Sequence, residues 1–178
     1  MSSKLTQLIT TISFGLLLFF STFSQADVVR SEDNYFEIQL ETLVNAPIDQ
    51  LDKTLLAIHS WWQADHTYSG ESRNLYLDIK QQHCFCETLP DDGIVRHMQV
   101  VFYQRQKKLR LSGGLGPLQA LAVNGVLEFS IKADTKTKSH LLVTYRVSGT
   151  GAKLTNWANP VNQVISAQVN ALKQQAEK

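Results

Sequence analysis

Beyond its first 26 residues, the chain alternates apolar and polar positions over long stretches. Phe36, Ile38, Leu40 and Val44 alternate with Glu37, Gln39 and Glu41, and a period of two over that length predicts a half-buried strand. Leu75, Leu77 and Ile79 repeat the pattern against Tyr76 and Asp78. Val123, Leu127, Phe129 and Ile131 share one side opposite Asn124, Glu128, Ser130 and Lys132. Leu141, Val143, Tyr145 and Val147 do the same near the end, and residues 93–104 and 107–113 supply two further strands. The polar run Arg105-Gln106-Lys107 has hairpin length. Asp92-Gly93 is a turn signal between residues 85–89 and 94–103. Connections this short make neighbouring strands antiparallel.

Two segments carry a helical period. After Pro47, which suits a first helical turn, Ile48, Leu51, Leu55, Ile58 and Trp62 recur at three and four and form one stripe. A short second helix is expected near residues 61–66. After Pro160, Val161, Val164, Ile165, Val169 and Leu172 line one side of a terminal amphipathic helix of about four to five turns, with Asn162, Gln163, Asn170, Lys173 and Gln174 mostly on the other. The order is therefore strand, helix, about six antiparallel strands, long helix. One-sided strands outnumber the helices able to cover them, so the expected fold is α+β: a curved antiparallel sheet of about six to seven strands around the C-terminal helix. Such a sheet leaves a cleft beside the helix, and concave apolar clefts are where ligands bind.

The first 26 residues read differently. Lys4 is the only charged residue before Asp27, an apolar run is densest over residues 14–20, and Ser24-Gln25-Ala26 is a small-x-small exit. This is the pattern of a secretory signal peptide cut after Ala26; the apolar core is too short for a comfortable membrane span. The expected organisation is a leader over 1–26 and one domain over 27–178, in the periplasm or secreted, without a stable span once the leader is gone. The whole chain of 178 residues is 43% hydrophobic and 19% charged, with 17 Lys+Arg against 16 Asp+Glu and a net charge of +1. The composition is that of a globular domain. The charge balance lacks the electrostatic driver of a nucleic-acid binder or a polybasic membrane-surface protein.

A resemblance rests on spacing and element order. Val44-Asn45-Ala46-Pro47 leads into the first helix, Trp61-Trp62 sits near its end, and His83-Cys84-Phe85-Cys86-Glu87 stands where a Gly-Gly-x-Phe-x-Glu strand is common. Gly113-Gly114-Leu115-Gly116-Pro117-Leu118 follows a strand, and Val147-Ser148-Gly149 precedes the terminal helix. The order resembles the helix-grip fold of the START-like (SRPBCC) superfamily, which includes the polyketide cyclase/dehydrase and lipid-transport group. His83 and Gln82 replace the two glycines. The resemblance covers residues 27–178 and implies a hydrophobic cavity for lipid-like or aromatic molecules, but no single chemistry.

Candidate chemistry is sparse. Cys84 and Cys86 are the only cysteines. Two residues apart in a regular strand, their Cα atoms lie about 6.6 Å apart on one face, near the upper limit for a disulfide. Buried free thiols used as apolar fillers are therefore expected, with a bulged, bridged pair and a metal site as alternatives. His59, His66, His83 and His97 are potential metal ligands, but no Cys-x-x-Cys or His-x-x-x-His spacing is present, and neither a metal nor a cofactor is expected. His59 falls within the first helical stripe and reads as core. His97 lies on a strand with two mixed faces, so its direction is open. Glu87, sharing a face with Phe85, would have a raised pKa if aimed into an apolar pocket. The glycines of 113–116 form no phosphate loop, since no Lys-Ser or Lys-Thr follows, and no Gly-x-Ser-x-Gly elbow exists.

The expected function is an exported binding protein for a hydrophobic small molecule, with Trp62, Tyr68, Phe85, Glu87, His97, Phe129 and Tyr145 as cavity candidates. One alternative is a cyclase/dehydratase-type enzyme using Glu87 or His97 as acid/base. Another is a protein-interaction module, with no partner specified.

Overall fold

The computed structural model describes residues 26–178; the expected leader lies outside them except for Ala26. One antiparallel sheet of eight strands runs in the order β1-β2-β8-β7-β6-β5-β4-β3. The strands are β1 (Asp27–Glu32), β2 (Tyr35–Val44), β3 (Leu75–Asp78), β4 (Cys84–Thr88), β5 (Ile94–Gln104), β6 (Lys108–Ser112), β7 (Asn124–Ala133) and β8 (Ser139–Ser148). Two α-helices are present among the described residues: α1 (Ile48–Leu56) and the C-terminal α2 (Thr155–Ala176), which packs against the sheet. This is the expected α+β helix-grip arrangement.

The strand faces follow the alternation. Phe36, Ile38, Leu40 and Val44 of β2, Leu127, Phe129 and Ile131 of β7, and Leu141, Val143, Tyr145 and Val147 of β8 are all buried. Ile165, Val169 and Leu172 of α2 close over them. Removing a buried leucine such as Leu172 costs about 2–5 kcal/mol, because a cavity remains after the lost transfer energy.

Four features depart from the expectation. The sheet gains β1, whose residues are almost all exposed and therefore carry no apolar alternation. The first helix stops at Leu56; Ile58 opens a short 3₁₀ turn at Ile58–Ser60, and Trp62 lies in the bend before a second one at Ala64–His66. The change of helical phase turns His59 out to solvent, so it is not a core residue. The turn after β4 is centred one residue early: Asp91 and Asp92 both have positive φ (55° and 59°), the requirement of a type I′ turn. Finally, α2 starts at Thr155, before Pro160, and spans 22 residues.

Two ties set where α2 lies. The Ala26 amide donates to Ser166 Oγ at 2.9 Å, and Asn162 Nδ2 donates to the Ala26 carbonyl at 2.9 Å. Further along, the Gln63 amide donates to Gln168 Oε1 at 2.8 Å. The helix is thus fixed to the β1 edge by one face and to the segment carrying Trp61 and Trp62 by another. No helix among the described residues is long and apolar enough to cross a membrane.

Candidate functional site

Strand β5 breaks the alternation twice, and the first break builds the site. Phe85 pairs with Met98 while Cys86 pairs with Arg96, so His97 is the extra residue of a β-bulge. A bulge re-aims side chains, and here two consecutive residues, His97 and Met98, are both buried. The second break leaves Val101 unpaired between Val100 and Phe102, and Val101 and Phe102 both face solvent. These two phase changes explain why both faces of this stretch read as mixed. Gln119 Nε2 donates to the Arg96 and His97 carbonyls at 2.7 and 3.1 Å and so satisfies backbone groups at the first bulge.

Within the fold, His97 Nε2 lies 2.8 Å from Glu87 Oε2, and both side chains are buried. Glu87 also accepts hydrogen bonds from the Tyr68 and Ser69 amides. Burial pushes the Glu87 carboxyl up, but these donors outweigh it and hold its pKa below the ordinary value. The expected raised pKa is therefore corrected: a carboxylate inside the fold stays ionised when enough N–H groups point at it. Burial lowers the His97 pKa, and the attraction of Glu87 only partly offsets this. The pair is a carboxylate beside a neutral imidazole. A carboxylate can only accept, so Nε2 carries the proton and Nδ1 is left with its lone pair.

Rings hold this pair in place. Phe85 stacks on His97 at 4.6 Å between centroids and 26° between planes. Trp62 meets Phe85 edge-on at 5.2 Å, and its indole N–H donates to the His66 carbonyl at 3.0 Å. The Tyr68 ring lies 5.8 Å from that of His97.

His97 borders a cavity of about 380 Å³ between sheet, α2 and the residues after α1. Trp157, Pro160, Val161, Val164 and Ile165 of α2 form its apolar wall, with Trp62, Leu115 and Pro117 opposite; Asp65, His66, Thr67, Tyr68, His97 and Tyr145 supply the polar groups. Among the described residues no Lys or Arg is on the wall. Tyr145 is fully buried and accepts a hydrogen bond from the Leu115 amide at 3.1 Å. Burial drives its pKa far up, so it keeps its proton. A Cβ on Gly125 would sit 2.8 Å from Tyr145 Cε2; glycine there makes the room the phenol occupies. At the rim, Tyr68 is exposed and its hydroxyl donates to the Gly116 carbonyl at 3.4 Å.

Of the expected site residues, Trp62, Tyr68, His97 and Tyr145 line the cavity. Phe85 and Glu87 stand behind His97 and shape it. Phe129 belongs to the core, against Trp61 at 6.3 Å, and is not on the wall. Trp157, Leu115 and Pro117 were missed: they lie in turns or the first turn of α2, where no periodicity marks them. Cys84 and Cys86 are joined by a disulfide with Cα atoms 5.5 Å apart, which corrects the expectation of free thiols. The spacing is shorter than in a regular strand and coincides with the irregular step of the β4–β5 ladder. Among the described residues no three His, Cys, Asp or Glu side chains group as a metal site would require.

No family model matches the chain. Solved structures share its fold. A protein of unknown function from Staphylococcus aureus superposes with a TM-score of 0.59 at 10% identity, covering 82% of this chain and 96% of that one. A conserved protein of unknown function from Enterococcus faecalis gives 0.56 at 15%, covering 85% and 75%. The di-domain ARO/CYC StfQ of the steffimycin biosynthetic pathway gives 0.53 at 13%, covering 82% of this chain and 50% of StfQ. At these identities the likeness is one of fold, in agreement with the helix-grip arrangement. Among curated proteins, a phosphoribosyl-bearing imidazole-4-carboxamide isomerase from Idiomarina loihiensis is 32% identical over 80 residues, 42% of this chain; the chain spans about a third of that enzyme.

Proposed function

We propose that this chain is an exported START-like binding protein for an apolar small molecule that carries one polar head. The observation behind this reading is the cavity wall: apolar along α2, with Tyr145 and His97 as the polar groups set deepest in the fold. Burial of ligand area would drive binding at about 25 cal/mol per Å². The head would be oriented by two complementary groups, the Tyr145 hydroxyl as donor and His97 Nδ1 as acceptor. A hydroxyl or enolic group, able to donate and accept, fits both. The absence of Lys and Arg among the described residues of the wall speaks against the two phosphoribosyl groups in the name of the partly matching isomerase. The leader pattern of residues 1–26 supports export.

A second reading is favoured by one observation: a buried carboxylate orienting a neutral histidine is the arrangement that prepares a general base. In a cyclase/dehydratase-type enzyme, His97 would take a proton from the bound molecule while Tyr145 hydrogen-bonds the oxygen that gains charge.

Native mass spectrometry of the mature chain purified from its own cells tests the carrier reading. A copurified mass that organic solvent removes is expected; a bare chain that also takes up no apolar dye contradicts it. For the extracted ligand, H97A should weaken binding if the protein is a carrier. Loss of turnover with binding retained would favour the enzyme.

A further inference from the structure

The Cys84–Cys86 bridge stands immediately behind the His97 site. Its two half-cystines bracket Phe85, the ring that stacks on His97. The next residue, Glu87, supplies the carboxylate bonded to His97 Nε2. On the partner strand, the bulge that turns His97 inward falls opposite the step from Phe85 to Cys86. Both half-cystines are buried, and they face away from the side of the strand that carries Phe85 and Glu87.

We infer that the Cys84–Cys86 disulfide is a positioning element for His97, holding Phe85 and Glu87 of β4 in the register that the bulge on β5 requires. The bridge sets the Cα atoms of residues 84 and 86 at 5.5 Å, whereas an extended strand spaces them by about 6.6 Å. Without it, β4 is free to lengthen by about an ångström. A displacement of that size is enough to break a hydrogen bond of 2.8 Å and cost a site much of its function. Gln119 holds the bulge from the β5 side; the bridge holds it from β4. Edge strand β3, only four residues long, is too short to do so alone. The geometric role stands by itself; its effect on binding rests on the carrier reading above.

The experiment compares the oxidised full chain, the same chain reduced by dithiothreitol, and C84S/C86S, each with its fold checked by circular dichroism. Reduction passes two electrons and two protons to the cystine, giving two thiols, as dithiothreitol becomes its cyclic disulfide; a thiol count verifies it. The readout is the His97 ring by ¹⁵N NMR. The oxidised protein should show one tautomer with a protected Nε2 proton. Reduction or substitution should raise exchange of that proton at least tenfold and average the ring signals. Unchanged His97 signals in a folded bridge-free protein would overturn the proposal. If C84S/C86S does not fold, C84A/C86V keeps apolar character at both positions and carries the same readout. Titration with 1-anilinonaphthalene-8-sulfonate forms a separate arm, where weaker binding without the bridge is expected. No dye binding in any state would sink the carrier reading and leave the NMR result to decide the bridge.

Discussion

His97 shows how one side chain can be both buried and poised. Its neighbours on the sheet are Phe85, Met98 and Glu87, the Tyr68 ring lies 5.8 Å away, and the cavity it borders is also lined by Asp65, His66 and Tyr145. Its pKa lies below the ordinary 6.5, so the unfolded chain takes up a proton at a higher pH than the folded one. The contribution is complete above about pH 6.5 and is lost as pH falls toward the folded value. Urea unfolding at pH 7.5 and 5.5 should therefore show wild type losing more stability than H97Q, with the gap between them narrowing at the lower pH. An equal loss in both would mean that His97 is not held neutral. Gly125 carries a second prediction. G125A presses a methyl group onto the Gly113 carbonyl as well as the Tyr145 ring, so it should lower stability by about 1–3 kcal/mol through overpacking and weaken dye binding. Denaturant midpoints and the same titration measure both.

The elements were legible where a strand keeps one phase. β2 and β8 place every expected apolar residue inside, and β7 does so from Leu127 onward, because an uninterrupted period of two admits a single register; Val123 stands just before β7 and is only partly buried. β5 was not, because its bulges at His97 and Val101 switch the inward face twice and no local composition announces them. The same bulge hid the direction of His97, the most informative residue of the site. α1 was legible in position but not in length: its stripe continues through Trp62 although the backbone leaves the helix at Leu56. β1 was invisible, being a polar edge strand recognised only by its pairing with β2. Between α1 and the sheet, the Tyr103 hydroxyl donates to buried Asp52 at 2.8 Å, and burial and that carboxylate push the phenol up to about 12. Y103F leaves Asp52 without this donor and should cost about 1–3 kcal/mol in chemical denaturation. An effect below about 0.5 kcal/mol, the level of an ordinary surface substitution, would show that water replaces the bond.

For the molecule as a whole, α2 has two jobs that compete for its surface. Ile165 is shared, while Leu172 and Val169 seal the core and Trp157, Val161 and Val164 face the cavity. The helix is tied down at Ala26 and at Gln63, so the cavity lined by its Trp157–Ile165 stretch is held open beneath a fixed element in an otherwise close-packed interior. The wall along α2 is apolar, so an apolar guest laid against it would remove apolar area from contact with water. Filling the cavity from within is the most direct check. The measurement is titration of the full chain and of V164W with 1-anilinonaphthalene-8-sulfonate. Saturable binding of one dye per wild-type chain, weakened at least tenfold in a folded V164W protein, is the predicted result. Equal binding by both, or no saturable binding to the wild type, would contradict a ligand site beneath α2.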